Sequence, residues 1–133
     1  MTRTQGAQPT ATTRPRLRRA RPWAALLAAA LVAHLYVLYD PSPGGPTLFA
    51  GADKIVHVTI FALPVWLASR VLRRWVVLAV VLAIHAPVSE VIQGLALPHR
   101  SGDGWDVVAD LTGVAIGAAL AAMVPRRSDP GRW

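Results

Sequence analysis

Four long apolar runs divide this chain, and they constrain its fold more than any other feature. They cover residues 23–39, 55–72, 75–97 and 107–124, and contain 17, 18, 23 and 18 residues. A helix needs about 17–25 apolar residues to cross the hydrocarbon core of a bilayer. Four uniformly apolar helices in so short a chain would leave a soluble protein no polar helix faces to meet water. We therefore predict an all-α fold: a polytopic membrane protein with a bundle of four transmembrane helices.

Composition supports this class and excludes others. Of the 133 residues, 53% are hydrophobic and 16% are charged, whereas a soluble domain carries about 25% charged residues. There is no cysteine, so disulfides, cysteine-based zinc sites and thiol nucleophiles are excluded. The net charge of +7 would suit a nucleic-acid partner. No basic face interleaved with aromatic residues is visible, however, and we predict no nucleic-acid binding.

The positions of the charges predict an orientation. With the N-terminus inside, 12 of the 14 basic residues fall on the cytoplasmic side, in residues 1–22, 70–74 and 126–132. Six of the seven acidic residues lie at or just below the opposite surface. The positive-inside rule then places both termini in the cytoplasm.

The same pattern predicts the organisation of the chain. We expect a disordered basic cytoplasmic tail at 1–22, a membrane domain at 23–124 and a cytoplasmic C-terminal tail at 125–133. A basic start followed by an apolar run also fits a signal peptide. The segment after the first run has no clear small-x-small cleavage site, which favours a retained membrane anchor.

Polar side chains within the apolar runs are expected to meet at the outer end of three helices. A charged group in hydrocarbon is costly and usually faces the bundle interior, where it pairs. Spacings of three or four residues place each polar group on one helix face. The predicted binding residues are Asp53, Lys54 and His57 on the second helix, Glu90 and Gln93 on the third, Arg100 in the turn, and Asp106 and Asp110 on the fourth.

Structural roles are open alternatives for several of these residues. Asp53 and Asp106 are suited to N-cap the second and fourth helices, since Asp is a favoured capping residue. Glu90 and Gln93 are also suited to hydrogen bonds that hold helices together. Two other histidines, His34 and His85, are isolated in the sequence, and a hydrogen-bonded structural role is expected for each.

Two glycines on the fourth helix predict a close helix contact. Gly113 and Gly117 form a small-xxx-small pattern, which lets helix backbones approach closely. A homo-oligomer formed through this face is a further expectation.

Three polar segments stand in a specific order and spacing. They are DKIVH at 53–57, EVIQ at 90–93 and HRSGDGWDVVADLTGVAIG at 99–117. Together they resemble the VanZ-like family of small bacterial membrane proteins, over residues 53–120. Asp110 and Gly102 depart from the family pattern, in which an asparagine and an aromatic residue are usual. The resemblance implies that 23–124 is a VanZ-like membrane domain in the bacterial plasma membrane, with a link to resistance against teicoplanin-type lipoglycopeptides.

Three functional hypotheses follow. The first is an outer-leaflet polar pocket that binds or handles an amphipathic cell-envelope component, with membrane lipids or a lipid-linked precursor as partner and no cofactor. The second is a membrane-embedded enzyme that uses Glu90, Asp110 and His57 for acid–base or metal-assisted chemistry on a lipid. No nucleophile motif or established metal spacing is present, so we assign neither a catalytic residue nor a resident metal. The third is a cation-coupled translocator, which would need to oligomerise.

Overall fold

Helices make up nearly all of the described chain. The structure is a computed structural model and describes residues 15–41, 49–98 and 102–124. Its helices there are α1 (Pro15–Tyr39), α2 (Ala52–Val71), α3 (Trp75–Ala96) and α4 (Gly104–Ala122). Each contains a stretch long and apolar enough to cross a membrane. The predicted all-α fold is confirmed in these residues, and the four helices fit a multi-pass membrane protein.

Three helices begin earlier than the apolar runs predicted. α1 begins at Pro15, inside the segment predicted as a disordered tail. Arginine is a good helix former, and proline suits a first helical position. α2 follows Gly51, whose φ of 84° is a left-handed conformation that glycine adopts without strain. The remainder of the two predicted tails, 1–14 and 125–133, lies outside the described residues.

α2 is the centre of the bundle. It contacts α1, α3 and α4, while α1 and α4 do not pack against each other in the described residues. α1 is antiparallel to α2, because Trp23 packs against Trp66 while His34 packs against Phe61. Phe61 and Val65 of α2 are fully buried in the core. The helices alternate in direction, so the start of α1 and the end of α4 lie at the same end of the bundle.

The contact between α2 and α4 is a backbone contact at two glycines. A Cβ atom added at Gly113 would lie 2.4 Å from the carbonyl oxygen of Val58. One added at Gly117 would lie 2.4 Å from the carbonyl oxygen of Ala62. The predicted close approach therefore occurs inside one chain. Because α2 already covers this glycine face, a homo-oligomer would have to use another surface.

We predict that Gly113→Ala destabilises the protein by about 1–3 kcal/mol, because the new methyl group forces α2 and α4 apart. The measurement is thermal unfolding of the purified chain in detergent, followed by tryptophan fluorescence. Gly104→Ala is the matched control, since a Cβ atom there has no neighbour within 4 Å. Equal stability of the Gly113→Ala and Gly104→Ala variants would contradict the close contact between α2 and α4 at Gly113.

A partly buried chain of hydrogen bonds joins α1, α2 and α3. Pro64 has no N–H, so the carbonyl of Ile60 lacks its usual helical donor. His34 Nδ1 lies 3.0 Å from that carbonyl oxygen and must donate to it. The uncharged His34 ring then accepts at Nε2 from His85 Nδ1 at 3.1 Å. His85 Nε2 in turn accepts from the Tyr39 hydroxyl at 2.8 Å.

The hydrogen bonds expected of the two histidines are present, but the sequence did not predict that the two rings bond to each other. Their pairing joins residues that are 51 positions apart, which no local sequence pattern reveals. Their structural role is supported, because the hydrogen-bond chain ends at a backbone carbonyl that cannot pass a proton onward.

We predict that His34→Leu destabilises the protein by about 1–3 kcal/mol, because it leaves the Ile60 carbonyl without a donor. In a Pro64→Ala background the cost should be smaller, since residue 64 then donates a helical N–H to that carbonyl. A double-mutant cycle of unfolding free energies measures the difference. The same cost of His34→Leu in both backgrounds would show that the carbonyl is not the reason.

Candidate functional site

A polar cluster lies where the first turns of α2 and α4 meet the last turns of α3. Seven of the eight predicted binding residues belong to it, together with Asp103, which was not predicted. Arg100 lies outside the described residues. We divide the cluster into a surface tier and a buried tier. The surface tier is Asp53, Lys54, Asp103 and Asp106, and the buried tier is His57, Glu90, Gln93 and Asp110.

Lys54 is the centre of the surface tier. Its Nζ lies 3.1 Å from Asp53 and 2.7 Å from Asp103, and it also donates to Asp106. The side chains of Asp53 and Asp103 are 51% and 42% exposed, so a ligand at the bundle surface can reach them. Three carboxylates around one ammonium leave this tier with a net negative charge.

Asp103 links the two tiers and begins α4. One side-chain oxygen accepts from the backbone N–H of Trp105 at 2.9 Å, which makes Asp103 the N-cap. The other oxygen accepts from Lys54. Its own backbone N–H donates to Glu90 Oε2 at 2.9 Å. Asp103 and Asp106 have the spacing of a capping box, which is the sequence signal that identifies this cap.

The predicted N-caps were wrong for both helices. The N-cap of α2 is Gly51 and that of α4 is Asp103, so Asp53 and Asp106 lie inside the first turns. The reason is that both helices begin before their apolar runs. Negative charge in a first turn still interacts favourably with the helix dipole.

His57 and Asp110 form the closest contact of the buried tier. His57 Nδ1 lies 2.8 Å from Asp110 Oδ1, and Asp110 is fully buried. The second oxygen of Asp110, Oδ2, is buried without a hydrogen-bond partner among the described residues. The predicted convergence of the α2 and α4 polar residues is therefore present in the structure.

Glu90 joins α3 to the start of α4. Besides the Asp103 N–H, it accepts from Gln93 Nε2 at 3.3 Å. The chain passes very close to it, since a Cβ atom at Gly102 would lie 2.7 Å from the Glu90 carbonyl oxygen. Glu90 therefore links α3 to the start of α4, as the structural alternative predicted, and the donor is the backbone N–H of Asp103. The bond from Gln93 that is described stays within α3.

Charge is unbalanced across the whole cluster. Its carboxylates number five, and Lys54 is its one ammonium group among the described residues. Among the described residues, the salt bridges of Lys54 go to the carboxylates of the surface tier. His57 Nε2 lies 3.9 Å from the Asp106 carboxylate. The arrangement is therefore suited to bind a cation, an amine or a hydroxyl group.

Comparisons with family models, with curated proteins and with solved structures found no match for this chain. The resemblance to the VanZ-like family therefore depends on the three sequence motifs alone.

Asp103 provides a pH test of the surface tier. The hydrogen bond from the Lys54 ammonium holds the pKa of this carboxyl below its ordinary value. A depressed pKa contributes stability above the unfolded value of about 3.9, and this contribution is lost as pH falls through the lower folded value. We predict that Lys54→Met raises the pKa of Asp103, measured by NMR titration of ¹³C-labelled aspartate. An unchanged pKa would contradict the ion pair.

Proposed function

We propose that this chain is a multi-pass protein of the bacterial plasma membrane, with both termini in the cytoplasm and the polar cluster facing outward. The basic residues support this orientation, since 12 of 14 lie in the tails or at 70–74. At the same end of the bundle, the Arg70 guanidinium lies 4.9 Å from the ring centroid of Trp66 and 5.5 Å from that of Trp23. Tryptophan and arginine packed at a helix end are typical of a membrane–water interface.

The function that the geometry supports best is binding of an amphipathic cell-envelope component, either a lipid headgroup or a lipid-linked precursor. The observation that carries it is the surface tier, in which three partly exposed carboxylates surround Lys54. Charge-assisted hydrogen bonds to carboxylates are strong for amine and hydroxyl donors. A headgroup with such donors can bind here while its acyl chains stay in the bilayer.

The resemblance to the VanZ-like family supports an envelope role for this site. It adds the expectation that the bound component influences sensitivity to teicoplanin-type lipoglycopeptides. An acidic site at the outer interface is consistent with that expectation, because such a site also concentrates cationic groups near the membrane surface.

A second candidate function is acid–base chemistry on a lipid substrate. The 2.8 Å contact between His57 and Asp110 favours it, since a carboxylate orients an imidazole that acts as a general base. In the described residues, no serine or threonine hydroxyl donates a hydrogen bond to His57 or Asp110. The hydroxyls of Thr59, Ser69, Ser89 and Thr112 all donate to carbonyls of their own helices. Such a reaction would therefore activate water or a hydroxyl of the substrate.

The test is binding of a fluorescent undecaprenyl-diphosphate-linked disaccharide pentapeptide to the chain in nanodiscs. We predict saturable binding by the wild type and a loss of at least about tenfold in affinity for Asp53→Asn/Asp106→Asn, since a charged hydrogen bond contributes roughly 1.5–3 kcal/mol. Asp40→Asn, an acidic residue at the same end but outside the cluster, is the control. Teicoplanin sensitivity of cells that express each variant is measured in parallel.

Equal binding by all three proteins, or no saturable binding by the wild type, would contradict the proposed ligand class. Conversion of the probe to a new product, lost in His57→Gln, would favour the enzymatic candidate instead.

A further inference from the structure

Three metal-ligating side chains meet inside the buried tier. His57 comes from α2, Glu90 from α3 and Asp110 from α4, and all three residues are buried. One ligand atom of each lies within 4.8 Å of the others. Atoms bound to one tetrahedral zinc ion lie roughly 3.3–3.5 Å apart. Side-chain rotations that shift each ligand atom by about 1 Å would therefore bring the three groups to coordination distance.

The charge of this group is only partly balanced, because one imidazole can offset at most one of the two carboxylates. Two carboxylates are buried beside one imidazole, and the described ion pairs of Lys54 go to the surface tier instead. Buried charges without a partner are strongly unfavourable, so proteins pair them or use them to coordinate metals. A divalent cation between the two carboxylates would neutralise both.

Asp110 supplies a second, independent observation. Its Oδ2 is buried without a hydrogen-bond partner among the described residues, although its other oxygen bonds to His57. A buried acceptor left without a partner is unfavourable, and more so when it is charged. Metal coordination would satisfy this atom.

We propose that His57, Glu90 and Asp110 bind one divalent transition-metal ion of the zinc class. Imidazole nitrogen with carboxylate oxygens is a ligand set that suits Zn²⁺ or Mn²⁺. Three protein ligands leave a fourth position for water or a ligand group. This site is separate from the proposed headgroup site, because it uses the buried tier rather than the surface tier.

Two neighbouring groups hydrogen-bond to the Glu90 carboxylate, as the outer partners of a metal-binding carboxylate do. The Asp103 N–H bonds to one of its oxygens and the Gln93 amide to the other. Each carboxylate oxygen has two lone pairs, so these bonds leave capacity for coordination. Outer partners of this kind orient a ligand and raise metal affinity.

The experiment measures zinc bound to the full chain in nanodiscs, after removal of metal with a chelator. Zn²⁺ is added, the sample is desalted, and the retained metal is measured by mass spectrometry. The wild type should retain one ion per chain. Asp110→Asn and Glu90→Gln should each lose more affinity than the roughly 10- to 100-fold that removal of an outer partner costs.

The matched control is Asp53→Asn, which removes the same charge from the surface tier. Its zinc affinity should stay within about threefold of the wild type, as expected for an exposed charge. An equal loss of zinc in Asp53→Asn and Asp110→Asn would show general charge attraction and overturn the proposal. So would a wild type that retains no zinc at micromolar concentration.

Two further measurements separate metal loss from misfolding. Circular dichroism without metal shows whether each variant is helical, and only helical variants are compared. Co²⁺ bound to the wild type should show visible d–d absorption that is lost in Glu90→Gln. Intact zinc binding in Asp53→Asn/Asp106→Asn, with loss of the lipid probe, would show that the two sites are independent.

Discussion

The close contact between α2 and α4 is the interaction on which the rest of the structure depends. Gly113 and Gly117 bring the α4 backbone against the carbonyls of Val58 and Ala62, with no room for a Cβ atom. The two helices run parallel here, so the same α4 face continues toward the polar end of the bundle. One turn before Gly113, that face presents Asp110 to His57. Two small residues therefore help to position a charged cluster to which they contribute no side chain.

A second constraint is that polar groups in the bundle interior need partners. The Ile60 carbonyl, released by Pro64, accepts from His34. The carboxylate of Glu90 accepts from the Asp103 N–H at the start of α4. Both cases follow from the cost of burying an unpaired polar group. Asp110 Oδ2 is the exception among the described residues, and a buried acceptor of this kind is a place where an ion or a water molecule can bind.

Much of the site was predictable, for a local reason. Run lengths predicted four membrane-length helices, and i, i+3 and i, i+4 spacings predicted which polar residues share a face. The contacts that prediction missed are those of Asp103 and the His34–His85 pair. Asp103 was missed because α4 extends beyond its apolar run. The His34–His85 pair was missed because it joins helices that are distant in sequence.

The sequence by itself determined the helical class, the candidate spans and the faces on which the charges lie, because these depend on composition and on the helical repeat. Only the tertiary structure decided which of those charges are exposed around Lys54 and which are buried with His57. That division depends on how closely α2, α3 and α4 approach, and the distance is set by packing between residues more than 50 positions apart, such as Val58 and Gly113.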